Sequence, residues 1–189
     1  MTAMPAPVSE TRLRDAAPED VPAIQSIYAH HVLHGFASFE EAAPDAAEMD
    51  RRRRDIQGRG LPYLIAERDG VVHGFAYAGP FRPRPAYRYT VEDSVYVAPA
   101  AVGQGFGRSL LGEVVRRCTA LGLRQMVAVI GDSENWASIR LHEKFGFARV
   151  GLLPAVGWKF NRWVDSVLMQ RALGPGGTAP ADARESGRS

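Results

Sequence analysis

Cysteine is nearly missing from this sequence, with Cys118 the only one in 189 residues. An intramolecular disulfide and a multi-cysteine metal site are both excluded by that count. Cys118 falls on the apolar side of a predicted helix, where it reads as a buried structural thiol rather than a nucleophile. A strong charge of either sign is missing too. The 23 Lys and Arg against 21 Asp and Glu leave a formal charge of +2, too little for a nucleic-acid partner. No apolar run approaches the ~20 residues that cross a bilayer. The opening "MTAMPAPVSE" lacks the basic start and apolar core of a signal peptide. A cytoplasmic protein with no membrane partner is expected. What is present is ordinary: 46% hydrophobic and 23% charged residues, enough for one globular core.

Residues 1–8 and 174–189 have no apolar periodicity and read as disordered tails around one domain, 9–173. "TRLRD" reads as a first strand. Val21, Ile24, Ile27, Tyr28 and Val32 then recur at helical spacing, with Pro18 in the first turn and Gly35 as the stop. A second helix is expected over Asp45 to Gln57, its "RRRR" run a solvated face. Asp69-Gly70 joins two β-rich runs as a type I′ hairpin. The proline-rich "PFRPRPAYRYT" reads as a loop, and "VEDSVYVAP" as the strand after it. Leu110, Leu111, Val114, Val115, Cys118 and Leu121 form one helical stripe ended by Gly122. "LRQMVAVI" reads as a strand covered on both faces, and Asn135 caps a helix through "WASIRLHEKF". Strands near "FARVGLLP" and "DSVLMQRAL" close a β-α-α-β-β-β-α-β-α-β-β order, a mixed sheet with helices on its faces.

Between strand and helix stands "VGQGFGRSLL", with Gly103, Gly105 and Gly107 in alternation. A Walker loop requires Gly-Lys-Ser/Thr, and no lysine is there. A dinucleotide fingerprint counted from Gly103 meets Arg108 where its third glycine belongs. What remains is a glycine loop opening a helix whose first N–H groups are free to hold an anion such as a pyrophosphate. A tight turn that merely needs glycine is the plainer alternative. His30, His31 and His34 have a spacing that could suggest a metal, but no carboxylate or cysteine pattern completes it, and no metal is assigned.

"SVYVAPAAVGQGFGRSLL" resembles the acetyl-CoA signature of the GNAT N-acetyltransferases, whose pattern is Arg/Gln-x-x-Gly-x-Gly/Ala. Gly105-Phe106-Gly107 match it, while Val102 departs from its first position. "SENWASIRLHEKFGF" is similar to a second segment of that family. "SIYAHHVLHGFASFEE", "FRPRPAYRYTVEDSVYV" and "LPAVGWKFNRWVDSVLMQ" resemble its phosphinothricin and methionine sulfoximine branch. The resemblance implies an α/β (α+β) GNAT fold, a mixed, mostly antiparallel sheet with helices on both faces. It also implies acetyl-CoA as co-substrate, a small amino acid or analogue as acceptor, direct transfer in a ternary complex and a homodimer.

Residue by residue, the resemblance puts the cofactor on Val95, Tyr96, Val97, Gly103, Gln104, Gly105, Phe106, Gly107, Arg108 and Asn135, with a backbone N–H near Val97 facing the oxyanion. It makes Glu92 the catalytic base for the amine. Asp93 is the rival base that strand alternation turns to the other face. His142, where the superfamily usually has tyrosine, becomes the proton donor to the leaving thiolate. Phe36, Arg82, Arg84, Glu92, Asp93 and Ser94 are expected around the acceptor. The two arginines offer forked donors to a carboxylate or phosphinate, and Phe36 and Phe39 an apolar wall. Other readings are acetylation of a protein N-terminus or polyamine, and an acyl-CoA sensor without turnover.

Overall fold

The computed structural model describes residues 10–181. Its elements are β1 (Arg12–Asp15), α1 (Val21–His34), α2 (Ala46–Gly58), β2 (Tyr63–Arg68), β3 (Val71–Pro80), β4 (Thr90–Val97), α3 (Phe106–Ala120), β5 (Gln125–Gly131), α4 (Trp136–Lys144), β6 (Ala148–Lys159) and β7 (Arg162–Ala172). The order is the one expected from periodicity and turn chemistry. The strands form a seven-stranded sheet, β1-β2-β3-β4-β5-β7-β6. Its neighbours pair antiparallel except β4 and β5, which need the crossover that α3 supplies. Helices α1 and α2 cover one face over Ile24, Val32, Ile65 and Phe75. The opposite face buries Leu110, Leu111, Met126 and Ile139 beneath α3 and α4.

The parallel pair decides where a ligand can enter. Only Thr90–Asp93 of β4 pair with Gln125–Ala128 of β5. β4 then runs on to Val97 along β3, and β5 to Gly131 along β7, so the two strands part. A sheet opened in its middle leaves strand-edge N–H and C=O groups facing a gap.

Local chemistry explains most boundaries. Asp45 caps α2, its carboxylate accepting from the Glu48 N–H at 2.8 Å. Asp69 and Gly70 sit at φ 53° and 73°, as a type I′ turn requires. Four expectations are corrected. The arginine run of α2 is not uniformly solvated: the Arg53 side chain is 7% exposed and bonds Asp50, Gln57 and the Ala16 carbonyl oxygen. Leu121 is half exposed, because α3 ends at Ala120 before the stripe reaches it. Val129 on β5 is exposed, because the sheet face there is left open. The last hairpin is longer than expected, running through Lys159 and Arg162 over a turn at Phe160 and Asn161, φ 50° and 57°.

The tails expected at 1–8 and 182–189 lie outside the described residues. Residues 174–181, read as part of the second tail, form a turn in which Gly176 and Pro180 carbonyl oxygens accept from Arg124.

Candidate active site

The gap between β4 and β5 is lined by Asp93, Val95, Ala128, Ile130, Asn135 and His142, among others. Its polarity follows from strand register. The Ala98 N–H donates to the His73 carbonyl at 2.8 Å, so Ala98 and its alternate residues direct their peptide groups to β3. Val97 and Val95 therefore direct theirs to the edge that β5 has left. His31 confirms this for Val97, its Nε2–H donating to the Val97 carbonyl oxygen at 2.9 Å. Two strand N–H donors with no strand opposite are what a thioester carbonyl needs as it gains charge.

At the far end of the gap lies the glycine loop. Gly103 and Gly105 have φ 82° and 92°, and a Cβ at either meets nothing within 4 Å. Their need for glycine is thus conformational, and the space outside them is open. Gly107 differs: a Cβ there touches Val97 at 3.4 Å, so this glycine seats α3 on β4. The Ser109 N–H, bonded to the Gly105 carbonyl at 3.1 Å, makes a first-turn bond of α3. The amides before it, in the first turn, have no acceptor within the helix and point outward as an anion site.

Alternation along β4 separates two carboxylates. Glu92 faces the α1–α2 side, in a pocket of about 380 Å³ with Tyr77, Ser94, Tyr96 and the loop residues Ser38, Phe39 and Glu40. Burial, then the charge of neighbouring Asp93, raises the Glu92 carboxyl above its ordinary value, toward that of a working base. Asp93 faces the other way, against His142. Its Oδ2 lies 3.0 Å from His142 Nε2, with both side chains 5% exposed or less. Burial pushes the imidazole down, and the hydrogen bond and charge of Asp93 more than offset it, so His142 stands above its ordinary value.

The model of the acetyltransferase (GNAT) family matches residues 24–147. This chain belongs to the GNAT acetyltransferases. It is 56% identical over 160 residues to a phosphinothricin N-acetyltransferase of Alcaligenes faecalis, covering 85% of this chain and 81% of that one. An L-methionine sulfoximine/L-methionine sulfone acetyltransferase of Salmonella typhimurium is 43% identical over 164 residues, covering 85% and 94%. The solved phosphinothricin acetyltransferase of Sinorhizobium meliloti, in complex with acetyl-CoA, superposes with a TM-score of 0.89 at 47% identity, covering 92% and 94%. Family and branch are those that the sequence blocks resemble.

Within this GNAT frame, the expected site residues divide. Glu92 and Ser94 line the same pocket, and Ser94 and Tyr96 line both it and the gap. Asp93 lines only the gap side. Phe106 is 1% exposed beneath the stacked His73 ring, so only its backbone is offered to a ligand. Gln104 bonds Arg68 and the Ala100 carbonyl, and Asn135 caps α4 by accepting from the Ser138 N–H at 3.2 Å. Arg82 lies over Phe81 and Tyr87 beside a second pocket, which meets the first at Tyr77. Arg84 opens the short helical turn Pro85–Tyr87 and is exposed. Neither arginine lines the Glu92 pocket. Phe39, rather than Phe36, forms its apolar wall; Phe36 is covered by Phe160 and Arg162.

Sequence reading missed what holds the 35–40 loop over Glu92. Lys159, 3% exposed, donates from Nζ to the Gly35 and Ser38 carbonyl oxygens at 2.9 and 2.6 Å. Glu40 accepts from Tyr28 and Arg52 at 2.8 and 2.6 Å. Gly131 is obligatory beneath this loop, since a Cβ there would fall 2.0 Å from the Phe36 carbonyl oxygen. The one local trace of this contact in the sequence is Gly131 itself, at the end of an apolar strand.

Proposed function

We propose that this chain transfers the acetyl group of acetyl-CoA to the amino group of a small amino acid or analogue, of the phosphinothricin or methionine sulfoximine type. One observation carries the reading: Glu92 opens the acceptor pocket on the strand whose edge also presents the Val95 and Val97 N–H groups to the β4–β5 gap. The glycine loop would hold the pyrophosphate and the gap the thioester. Glu92 takes the amine proton, directly or through one water, and the amine attacks the carbonyl carbon. The developing oxyanion meets the strand N–H groups, and His142 protonates the leaving thiolate. Transfer is direct. Cys118 is fully buried, and burial with the charge of Asp93 pushes its thiol up to about 12, which disfavours a thiolate acyl carrier.

Thiol release from acetyl-CoA, with mass detection of the product, tests this across L-phosphinothricin, L-methionine sulfoximine, spermidine and a peptide amine. The amino acid analogues should exceed the others in kcat/KM by ~10²-fold or more. A peptide or polyamine acceptor as the best substrate contradicts the acceptor class. No thiol release with any amine would favour an acyl-CoA sensor.

The same reading includes a homodimer in the cytoplasm that uses neither nucleic acid nor membrane. The last hairpin supports the dimer: Val150, Leu152, Val156, Trp158, Phe160 and Trp163, on its two strands and the turn between them, are each more than half exposed. Contiguous apolar surface of this kind is characteristic of protein–protein contacts. Light scattering should give twice the chain mass, and Trp158→Arg with Trp163→Arg should halve it. A monomeric unsubstituted protein would rule the dimer out.

A further inference from the structure

The 35–40 loop sets Phe39 in the wall of the Glu92 pocket, yet little of its own structure holds it there. Among the described residues, no hydrogen bond between main chains fixes residues 36–40. Phe39 is 42% exposed, so burial in the core does not fix its ring either. The support comes from the last hairpin. Strand alternation turns Trp158 outward and half exposed, while Gly157 and Lys159 face the loop. The Lys159 ammonium draws the Gly35 and Ser38 carbonyl oxygens onto one donor group, at 2.9 and 2.6 Å. Phe160 and Arg162 close over Phe36.

Gly157 touches the ring itself. A Cβ there would fall 2.5 Å from Phe39 Cε2 and 2.8 Å from Cδ2. Its φ lies outside the left-handed region, so the ring, and not the backbone conformation, requires glycine. Lys159 is 3% exposed and gives its hydrogen bonds to carbonyl oxygens rather than to a carboxylate. Glu40 is engaged by Tyr28 and Arg52, and Glu40 and Glu41 act on the ammonium only through space. A buried ammonium without an ion-pair partner is costly. What it produces here is a fixed loop.

We propose that Gly157 and Lys159 are positioning residues for the acceptor: they seat the 35–40 loop so that Phe39 closes on the acceptor's apolar stem beside Glu92. This rests on the reading of the Glu92 pocket as the acceptor's. Neither residue lines that pocket, so both act through the loop. A wall set in advance spares the acceptor the cost of ordering it on binding. The thioester side is built from other elements, β4, β5 and the glycine loop, none of which the hairpin residues Gly157 and Lys159 touch. Their effect should therefore fall on the acceptor and spare acetyl-CoA.

The test joins steady-state kinetics with L-phosphinothricin to fluorine NMR of the full chain labelled with 4-fluorophenylalanine, the Phe39 signal assigned through Phe39→Leu. Lys159→Met keeps the side-chain length and removes the donors. Acceptor KM should rise by ~tenfold or more, with acetyl-CoA KM within twofold and kcat changed less than acceptor KM. Gly157→Ala keeps every hydrogen bond and displaces only the ring, so it carries the test should Lys159→Met fail to fold. Its acceptor KM should rise by ~threefold or more with the same split. The Phe39 signal should move in both variants without any substrate present. In Phe39→Ala, adding Lys159→Met should change acceptor KM by less than ~threefold, since the ring through which it acts is gone. An unmoved Phe39 signal in the folded variants overturns the clamp. A moved signal with unchanged acceptor KM, or equal rises in both KM values, overturns the positioning role. Failure of the acceptor reading shows separately, as an unsubstituted protein that does not acetylate L-phosphinothricin. The fluorine signal then still judges the clamp, and the KM split is read with the amine acetylated best.

Discussion

Glu92→Gln should lower kcat/KM at pH 7 by at least ~10²-fold. Glutamine keeps the shape of the side chain and one hydrogen-bond acceptor, so the pocket with Tyr77, Ser94 and Phe39 should stay intact. What it loses is the ability to take a proton from the incoming ammonium. The pH profile makes the prediction specific. Because burial raises the Glu92 carboxyl, the base of the unsubstituted enzyme is ionised only above a pH higher than an ordinary carboxylate needs. Activity should therefore fall, as pH drops, through that raised value. In Glu92→Gln this limb should vanish, and activity should climb with pH as the amine arrives deprotonated. Acetyl-CoA affinity should be unchanged, since the glycine loop and the strand edge are untouched. A variant with near-normal rate and the original profile would remove Glu92 from the chemistry.

Gly105→Val should weaken acetyl-CoA binding by ~10²-fold or more. At φ 92° a β-branched residue is strained whatever space surrounds it, and the site has open space. The backbone would leave the left-handed region, rotating amides of the first turn of α3 away from the pyrophosphate. Each hydrogen bond to a charged group contributes roughly 1.5–3 kcal/mol, so losing one or two has an effect of this size. Leu110, Leu111 and Val114 keep α3 in the core, so circular dichroism should remain close to that of the parent. Calorimetry finding full affinity in a folded variant would show that the loop does not hold the cofactor.

Much of this was legible because it is local. The element order followed from apolar periodicity, Asp69-Gly70 from turn chemistry, and the opposite facing of Glu92 and Asp93 from the two-residue repeat of a strand. The last hairpin was cut short because register shifts between Arg149 and Gly151, and between Leu153 and Gly157, interrupt that repeat. Contacts between distant segments left no local trace. Asp93 meets His142 across 49 residues, and Lys159 clamps Ser38 across 121. Phe36 and Phe39 are alike in sequence; which one faces Glu92 is decided by packing against Phe160 and Gly157. Arg82 and Arg84 illustrate the same boundary. Their chemistry suits an anion, but their distance from Glu92 depends on how the proline-stiffened loop leaves β3.

A crystal structure with acetyl-CoA and L-phosphinothricin bound tests the central claim most directly. The account predicts the thioester in the β4–β5 gap, with its carbonyl oxygen accepting from the Val95 or Val97 N–H. The acceptor amine should lie within hydrogen-bond reach of Glu92 or one water away, ~2.6–3.2 Å per bond. A thioester outside the gap, or an amine seated beside Ile56 and Arg59 in the neighbouring pocket and out of reach of Glu92, would contradict it.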